Sequence, residues 1–203
     1  MTLTAQIQST ISIAGLSVTS VTSRSAVAAI PAQTPTPAAG LAGSLTTRTD
    51  ADTGIITMSS AEHGITDADT VDVYWSGGCR YGMTVTLVDG TAVSIDAGTG
   101  DDLPAAETAV VVGVQEEYDV DFDGDLVKMI VAHCKKRAHI EFLTNGDVSI
   151  LGRELTANEA WSWVYDTGAA NPLTGDPVGK ILVSCGETTT DQIKLVGIYD
   201  SEV

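Results

Sequence analysis

The chain has 203 residues and is strongly acidic, with 27 Asp and Glu against 10 Lys and Arg and a net charge of −17. Such a surface repels nucleic acid and anionic membrane, so neither is expected as a partner. Apolar residues make up 43% of the chain, enough for a core, and no apolar run reaches the ~20 residues of a membrane span.

Residues 1–30 alternate apolar and small polar side chains. Leu3, Ile7, Ile11 and Ile13 share one parity, which in a strand places them on one face, opposite a face rich in Ser and Thr. This segment has too few large side chains for a core of its own. We therefore predict an extended N-terminal β arm that lies on the rest of the chain or on a neighbouring subunit.

The start of the chain indicates where the protein is made, and the stretch after the arm indicates how the arm is connected. Arg24 is the first basic side chain, so the basic start and apolar middle of a signal peptide are missing, and we expect synthesis in the cytoplasm. Residues 31–44 contain prolines among Ala and Thr, and proline fixes φ. They are predicted to form a semi-extended linker.

Two β domains are predicted after the linker, a small one at 45–105 and a sandwich at 106–203. Short β-branched runs alternate with Gly and Asp turns, which is typical of a sandwich or barrel. Helical periodicity is nearly absent, and the best candidate for a helical turn is Thr156–Trp161. We predict an all-β fold, a jelly-roll-like sandwich or barrel with an extended N-terminal arm and very little helix.

Asp119, Asp121 and Asp123 begin a pattern typical of a calcium loop, D-x-D-x-D-G. The position that should supply a bidentate Glu is Ile130, and the acids alternate with apolar residues as they do in a strand. The favoured interpretation is therefore a strand that runs into an Asp-Gly turn. A weak calcium site of another kind is the alternative, and no cofactor is expected.

His133, Cys134 and His139 lie close together in the sequence, but they do not predict a metal site. Adjacent residues in a strand point to opposite faces and do not share one ion. We expect two solvated hairpin histidines instead. With Cys79 and Cys185 the chain has three widely spaced cysteines, so a disulfide framework is not predicted, and Cys134 and Cys185 are expected to be buried.

Lys135, Lys136 and Arg137 form the only basic run in the sequence. They either solvate a turn or contact an acidic neighbouring subunit. Trp161 and Trp163 share one strand face, where they cover a core, lie in an interface or bind a sugar. No nucleophile or phosphate-loop motif is present. We therefore predict no catalytic residue and no enzymatic activity.

A resemblance is carried by seven segments, which are Leu45–Gly54, His63–Thr66, Val71–Gly78, Arg80–Val85, Gly100–Pro104, Asn171–Pro177 and Lys194–Ser201. In these segments the chain resembles an uncharacterised family of proteins found among the structural genes of tailed phages and prophages. The resemblance covers about three quarters of the chain, from Leu45 onward. It provides no catalytic residues to carry over.

The resemblance implies a virion component, and we favour a capsid decoration (cement) protein. A tail-tube or head–tail connector protein is the runner-up, because tail-tube subunits usually pair their sandwich with a helix and no long helix is predicted here. The resemblance implies a homo-oligomer, with a trimer as one option, that contacts other virion proteins such as the major capsid protein. The alternative of another class is a carbohydrate- or receptor-binding β module with Trp75, Trp161 or Trp163 as its platform.

Overall fold

The computed structural model describes residues 12–13, 16–17, 27–122, 127–164, 170–173 and 177–200. All regular structure in these ranges is β-strand, so the all-β prediction is confirmed, and no helix there could span a membrane. The strands are β1 (Ser12–Ile13), β2 (Leu16–Ser17), β3 (Val27–Gln33), β4 (Leu41–Arg48), β5 (Gly54–Met58), β6 (Thr70–Trp75), β7 (Gly78–Asp89), β8 (Ala92–Asp96), β9 (Thr99–Gly100), β10 (Thr108–Val114), β11 (Glu116–Phe122), β12 (Val127–His133), β13 (Ala138–Thr144), β14 (Ser149–Leu155), β15 (Ala160–Val164), β16 (Val178–Cys185) and β17 (Lys194–Asp200).

Six antiparallel strands close into a barrel in the order β6-β10-β4-β5-β8-β7, and β7 pairs back to β6. Alternate residues point inward, as the pleat of a strand requires. Val71 and Val73 on β6 and Val110 and Val112 on β10 are therefore buried in the barrel core. Closure leaves the barrel wall without a free edge, which explains why these short strands form a stable unit.

Arg80 lies at one end of the barrel, and its side chain is only 10% exposed. It forms an ion pair with Asp52. Its guanidinium also donates to the backbone carbonyls of Ala97, Gly98, Gly100 and Asp101. A single side chain thus joins β7 to the loop after β8 and to the loop between β4 and β5.

The second unit is a sandwich of two four-stranded antiparallel sheets, β11-β16-β13-β14 and β15-β12-β17-β3. Ile140, Phe142, Ile181, Val183 and Leu195 lie in its core with 0–1% exposure. The first four occupy alternate positions on the paired strands β13 and β16, and Leu195 comes from the facing sheet, as expected for two sheets packed face to face. The barrel is inserted in the sequence of the sandwich, because β3 precedes the barrel strands and pairs with β17, which follows them.

The predicted domain boundaries are corrected at three places. β10 is the sixth strand of the barrel, so the chain leaves the barrel at Gln115, not at residue 105. β4 begins at Leu41, within the predicted linker at 31–44. β3 takes up the end of the arm predicted at 1–30, because it pairs with β17 as the edge strand of the sandwich. Each correction reflects pairing with a strand that is distant in sequence.

The residues that remain between β3 and β4 are fixed against the sandwich. Ile193 N donates to Pro35 O at 2.9 Å, and Gly40 N donates to Glu187 O at 2.8 Å. Pro35 and Pro37 are buried. The hydroxyl of Thr190 donates to Pro37 O. This connection therefore holds the two units in place and is not a free spacer.

The prediction of a helical turn at Thr156–Trp161 is wrong, because the structure has a tight turn there that leads into a strand. Glu159 N donates to Thr156 O at 3.0 Å and closes a single turn. Asn158 adopts φ 64°, in the left-handed region, which ends any right-handed helix. The chain then enters β15 at Ala160 and pairs with β12.

Replacement of Arg80 tests its role at the barrel end. Arg80→Met should lower the free energy of unfolding by about 3 kcal/mol, because four carbonyls lose a donor and Asp52 loses its partner. Urea unfolding followed by circular dichroism measures the change. The control is Arg48→Met, at an exposed position at the end of β4, which should change stability by less than about 0.5 kcal/mol. Equal losses in the two variants would contradict this role.

Candidate functional site: the junction between barrel and sandwich

Strand β6 is buried on both of its faces. Val71 and Val73 point into the barrel, so alternation turns Asp72 and Tyr74 outward. These outward side chains are nevertheless only 0% and 1% exposed. A second layer therefore covers this part of the barrel wall.

That layer is the outer face of the sandwich sheet that contains β13 and β16. Ile140 and Val183 point into the sandwich core, which turns their neighbours His139 and Ser184 toward the barrel. His139 is 3% exposed and Ser184 is fully buried. Polar side chains from the two units therefore meet where water is excluded.

The carboxylate of Asp72 is the centre of this junction and accepts four hydrogen bonds. Oδ1 accepts from Gly82 N at 2.7 Å and from Gln115 Nε2 at 2.8 Å. Oδ2 accepts from Ser184 Oγ at 2.5 Å and from His139 Nδ1 at 3.1 Å. A buried carboxylate is tolerated only when it is paired and hydrogen-bonded in this way. Two of its donors belong to the sandwich, so the carboxylate joins the two units.

A bend at Gly82 helps to place the first of these donors. Gly82 adopts φ 63°, a conformation that glycine reaches without steric cost. The β6–β7 register shifts between Val71 and Val73, next to Asp72. The resulting irregularity in the ladder leaves Gly82 N bonded to the carboxylate and not to a strand partner.

Two tyrosines extend the junction. Tyr74 OH lies 2.6 Å from Ser184 Oγ, and it is the donor because Ser184 gives its own proton to Asp72. Burial, together with the charge of Asp72, raises the pKa of Tyr74 well above its usual value. The Tyr81 ring stacks on the His139 imidazole with 4.0 Å between centroids. These contacts fix the side chains around the carboxylate.

Arg137 connects the units at a second point. Its guanidinium donates to Trp75 O at 2.7 Å and to Gly78 O at 3.0 Å, both on the barrel. It is also paired with Glu154 and lies over the Tyr74 ring, 5.2 Å from the centroid. The sandwich therefore contributes a cation that caps backbone carbonyls at the β6–β7 turn.

Glu154 accepts hydrogen bonds from other side chains in addition to Arg137. Tyr81 OH donates to it at 3.1 Å, and the Cys79 thiol lies 3.3 Å away. Burial would raise the pKa of Glu154, but the hydrogen bonds from Arg137, Cys79 and Tyr81 outweigh it and lower the pKa. Burial raises the pKa of Cys79 to about 11, so this thiol is protonated and unreactive at neutral pH.

Glycines allow the two units to approach closely. A Cβ at Gly113 would lie 2.6 Å from Cys185 O, and a Cβ at Gly186 would lie 2.7 Å from the Tyr74 ring. At Gly40 a Cβ would meet both Val111 and Cys185 O. Only the missing side chains leave room for the hydrogen bonds across the junction.

The junction holds Ser, His and Asp, but their connectivity does not fit nucleophilic catalysis. In a catalytic triad the imidazole takes the proton of the serine, and the carboxylate holds the far side of the ring. Here Ser184 and His139 both donate to Asp72, which lies between them. All three are nearly or fully buried. The arrangement joins the units, and its connectivity is not that of a catalytic triad.

An open cleft of about 520 Å³ lies beside the junction, between barrel and sandwich. We call it the interunit cleft. Its lining includes Ala42, Gly43, Trp75, Ser76, Ala109 and Val111. Arg137 is the charged side chain among the lining residues, and its charge is paired with Glu154.

The basic run is placed against acids of the same chain. Lys136 Nζ lies 3.1 Å from Glu187, and Lys135 Nζ lies 3.8 Å from Asp191. With Arg137 paired to Glu154 at the junction, all three cations have an acidic partner within the molecule. Lys135 has a side chain that is 66% exposed. A contact between this turn and a neighbouring subunit stays a prediction.

Trp161 and Trp163, which are predicted to share a strand face, occupy different environments. Trp163 is 8% exposed and belongs to the sandwich core, opposite Ile130. Trp161 packs at the edge of that core, with the Arg153 guanidinium 5.8 Å from its ring centroid. Core packing is therefore the role the structure gives to Trp163, and a cation covers Trp161.

The histidines predicted to be solvated are buried instead. His139 joins the junction, and His133 is 8% exposed on β12. The prediction failed because the Lys135–Arg137 turn suggested an exposed hairpin, whereas the barrel covers the outer face of β13. The buried positions of Cys134 and Cys185 agree with expectation, and all three cysteines are free thiols.

The remaining candidates lie at the limits of the described chain. Leu3, Ile7 and Ile11 are outside the described residues, as is Asp123, and Ile13 is described only as part of the pair β1–β2. Asp119 and Asp121 point outward from β11 and are exposed. In the described ranges no group of three His, Cys, Asp or Glu side chains is arranged to hold a metal ion.

Comparisons with known proteins add no assignment to this site. No protein-family model, curated protein or solved structure matches the chain. Sequence reasoning also missed Asp72, Tyr74 and Ser184, which form the junction. The only local signal was an acid placed between two valines of a strand, where an exposed face is the usual explanation.

Removal of the charge at the centre of the junction tests its importance. Asp72→Asn keeps the shape but places an amide NH₂ against groups that already donate, so the free energy of unfolding should fall by about 3 kcal/mol. Denaturant unfolding measures it. Asp96→Asn, at an exposed position on β8, is the matched control and should differ from wild type by less than about 0.5 kcal/mol. A small effect at Asp72 would mean that the junction contributes little.

The lowered pKa of Glu154 predicts a pH dependence of stability. A carboxyl whose pKa is lower in the folded protein stabilises the fold above its unfolded pKa, and this contribution is lost as the pH falls through the folded pKa. The stability difference between wild type and Glu154→Gln should therefore shrink on going from about pH 6 to about pH 3. In an Arg137→Met background the difference should depend on pH much less. A difference that is constant with pH in the wild-type background would disprove the coupling.

Proposed function

We propose that this chain is a non-enzymatic structural protein of a tailed-phage virion, which acts as a capsid decoration protein and assembles into a homo-oligomer. The observation that carries the proposal is the junction, in which buried Ser, His, Asp, Tyr and Arg side chains are used to join two β units. The polar groups that could support chemistry are thus committed to rigidity. A rigid, two-unit β body suits a building block better than an enzyme.

The surface charge supports the same proposal. The chain carries −17, and DNA that is packaged or ejected past such a surface is repelled and does not adhere. The resemblance of the segments from Leu45 onward to tailed-phage structural proteins supplies the biological setting. The all-β architecture of the described ranges favours decoration over a tail tube, whose subunits usually add a helix.

Assembly of the purified full-length protein is the direct test of this proposal. Sedimentation velocity should give one discrete oligomer, and negative-stain microscopy should show small compact particles. Rings or stacked tubes would support the tail-tube alternative. A protein that stays monomeric at about 100 µM, far above the concentrations at which specific interfaces form, would contradict an assembling role.

Deletion of the N-terminal segment separates assembly from folding. Because β3 begins at Val27, deletion of residues 2–26 spares every strand of the sandwich. This variant should keep the circular dichroism and unfolding midpoint of the full chain, and it should lose the oligomer. Deletion of residues 2–30 is the control, since it removes part of β3 and should also lower stability. An unchanged oligomer after the shorter deletion would contradict the role of the arm.

A further inference from the structure

The interunit cleft is nearly uncharged, although it lies in a strongly acidic protein. Its walls come from the outward faces of β4 and β10 and from the turn after β6, with Ala42, Ala109, Val111 and Trp75 among its lining. The one cation at its rim, Arg137, is neutralised by Glu154. The lining residues of the cleft therefore offer no unpaired charge to attract a charged partner. The cleft suits an uncharged segment with small and branched side chains.

The first 26 residues of the chain have this chemistry. Arg24 is their only charged side chain, so the segment carries +1 and the remaining residues carry −17 − 1 = −18. In an extended strand Leu3, Ile7, Ile11 and Ile13 would share one apolar face, and Ser, Thr and Gln would occupy much of the other. An apolar strand face matches apolar walls, and a weakly positive segment is attracted to a body of the opposite charge.

The direction of β3 shows at which end of the sandwich the segment is attached. Val27 pairs with Asp200 and Gln33 pairs with Leu195, so the strand runs antiparallel to β17. Gln33 leads through the fixed connection to the barrel, and Val27 therefore lies at the opposite end of the sandwich, about 20 Å away along a seven-residue strand. The segment that precedes Val27 is therefore attached at the end of the sandwich remote from the cleft of its own copy.

We infer that part of the uncharged N-terminal segment, residues 1–26, of one copy lies in the interunit cleft of a second copy. The inference rests on the proposed function, because it requires that the protein assembles. To the proposed function it adds the surface on which the arm binds, and it attributes the binding to the uncharged, apolar character of both the cleft and the arm. Exchange of such segments is a general way to link identical subunits, since each copy offers one segment and one cleft.

Charge-matched substitutions test the two sides of this contact in the full-length protein. Ala109→Arg places a long cation in the cleft, and Thr86→Arg places the same cation at an exposed position of β7 that is not among the residues lining the cleft. Ile7→Asp interrupts the apolar face of the segment, and Gln8→Asp adds the same charge to its other face. Ala109→Arg and Ile7→Asp should each weaken the assembly constant by at least about tenfold, and each control should stay within about twofold. Equal effects in a variant and its control would overturn the inference.

Photocrosslinking identifies the occupant directly. A p-benzoylphenylalanine residue at position 109 should crosslink to residues 1–26, and the same residue at position 86 should not. Mixing unlabelled copies with ¹⁵N-labelled copies before irradiation reveals whether the joined peptides come from different molecules. Crosslinks to residues 1–26 of another copy support the inference. Crosslinks only within one copy, crosslinks to other parts of a neighbour, or no crosslinks overturn it.

Sedimentation of the same samples distinguishes a wrong receiving surface from a failure of the assembling role. If the unmodified protein forms a discrete oligomer but position 109 yields no crosslink to residues 1–26 of another copy, the receiving surface is wrong and the assembling role stands. If the unmodified protein is a monomer at about 100 µM, the assembling role fails and the inference fails with it.

Discussion

A single buried carboxylate constrains how this protein is put together. Asp72 lies between Val71 and Val73, which the barrel needs in its core, so the pleat of β6 fixes the carboxylate on the outer wall. Removal of a carboxylate from water costs several kcal/mol unless donors replace the lost water. Gly82 supplies one donor from the barrel, and His139 and Ser184 supply two from the sandwich. The barrel is therefore stable against the sandwich in the one orientation that brings all donors together.

The chain reinforces this orientation by crossing between the units twice. The first crossing is the connection before β4, which Pro35 and Gly40 anchor to the sandwich by hydrogen bonds. The second is Gln115, whose side chain donates to Asp72 at the point where the chain leaves the barrel. Paired domains often move relative to each other when their contact is small and polar. Here two covalent crossings, a shared carboxylate and the Arg137 contact all oppose such motion.

Local pattern predicted much of the fold, and distant pairing decided the rest. The alternation around Val71 and Val73 predicted strands, and the many short strands predicted a sandwich or barrel. Closure of the barrel by β10 was not predicted, because a boundary at 105 also satisfied the turn signals. His139 was expected in solvent since the turn before it is basic, but the barrel covers that face. Exposure depends on the second unit, and one strand carries no information about it.

The polar site was harder to predict than the strands for the same reason. Arg80 follows a cysteine and precedes a tyrosine, and nothing in that order indicates that its guanidinium enters a barrel end. Asp72 and Ser184 are 112 residues apart in sequence, and each alone is an ordinary polar residue on an outward strand face. Only the meeting of two outer faces makes them partners.

A fixed angle between the units has consequences for assembly. When one surface of a subunit contacts a different surface of its neighbour, a closed ring forms only if the rotation between copies divides a full turn. The segment before β3 is attached to the sandwich, whereas the interunit cleft lies between sandwich and barrel. In the proposed assembly, the angle held by Asp72 and Arg137 would therefore contribute to the rotation from one copy to the next. A loose junction would allow many rotations and open chains of subunits, whereas a rigid one favours a single closed oligomer.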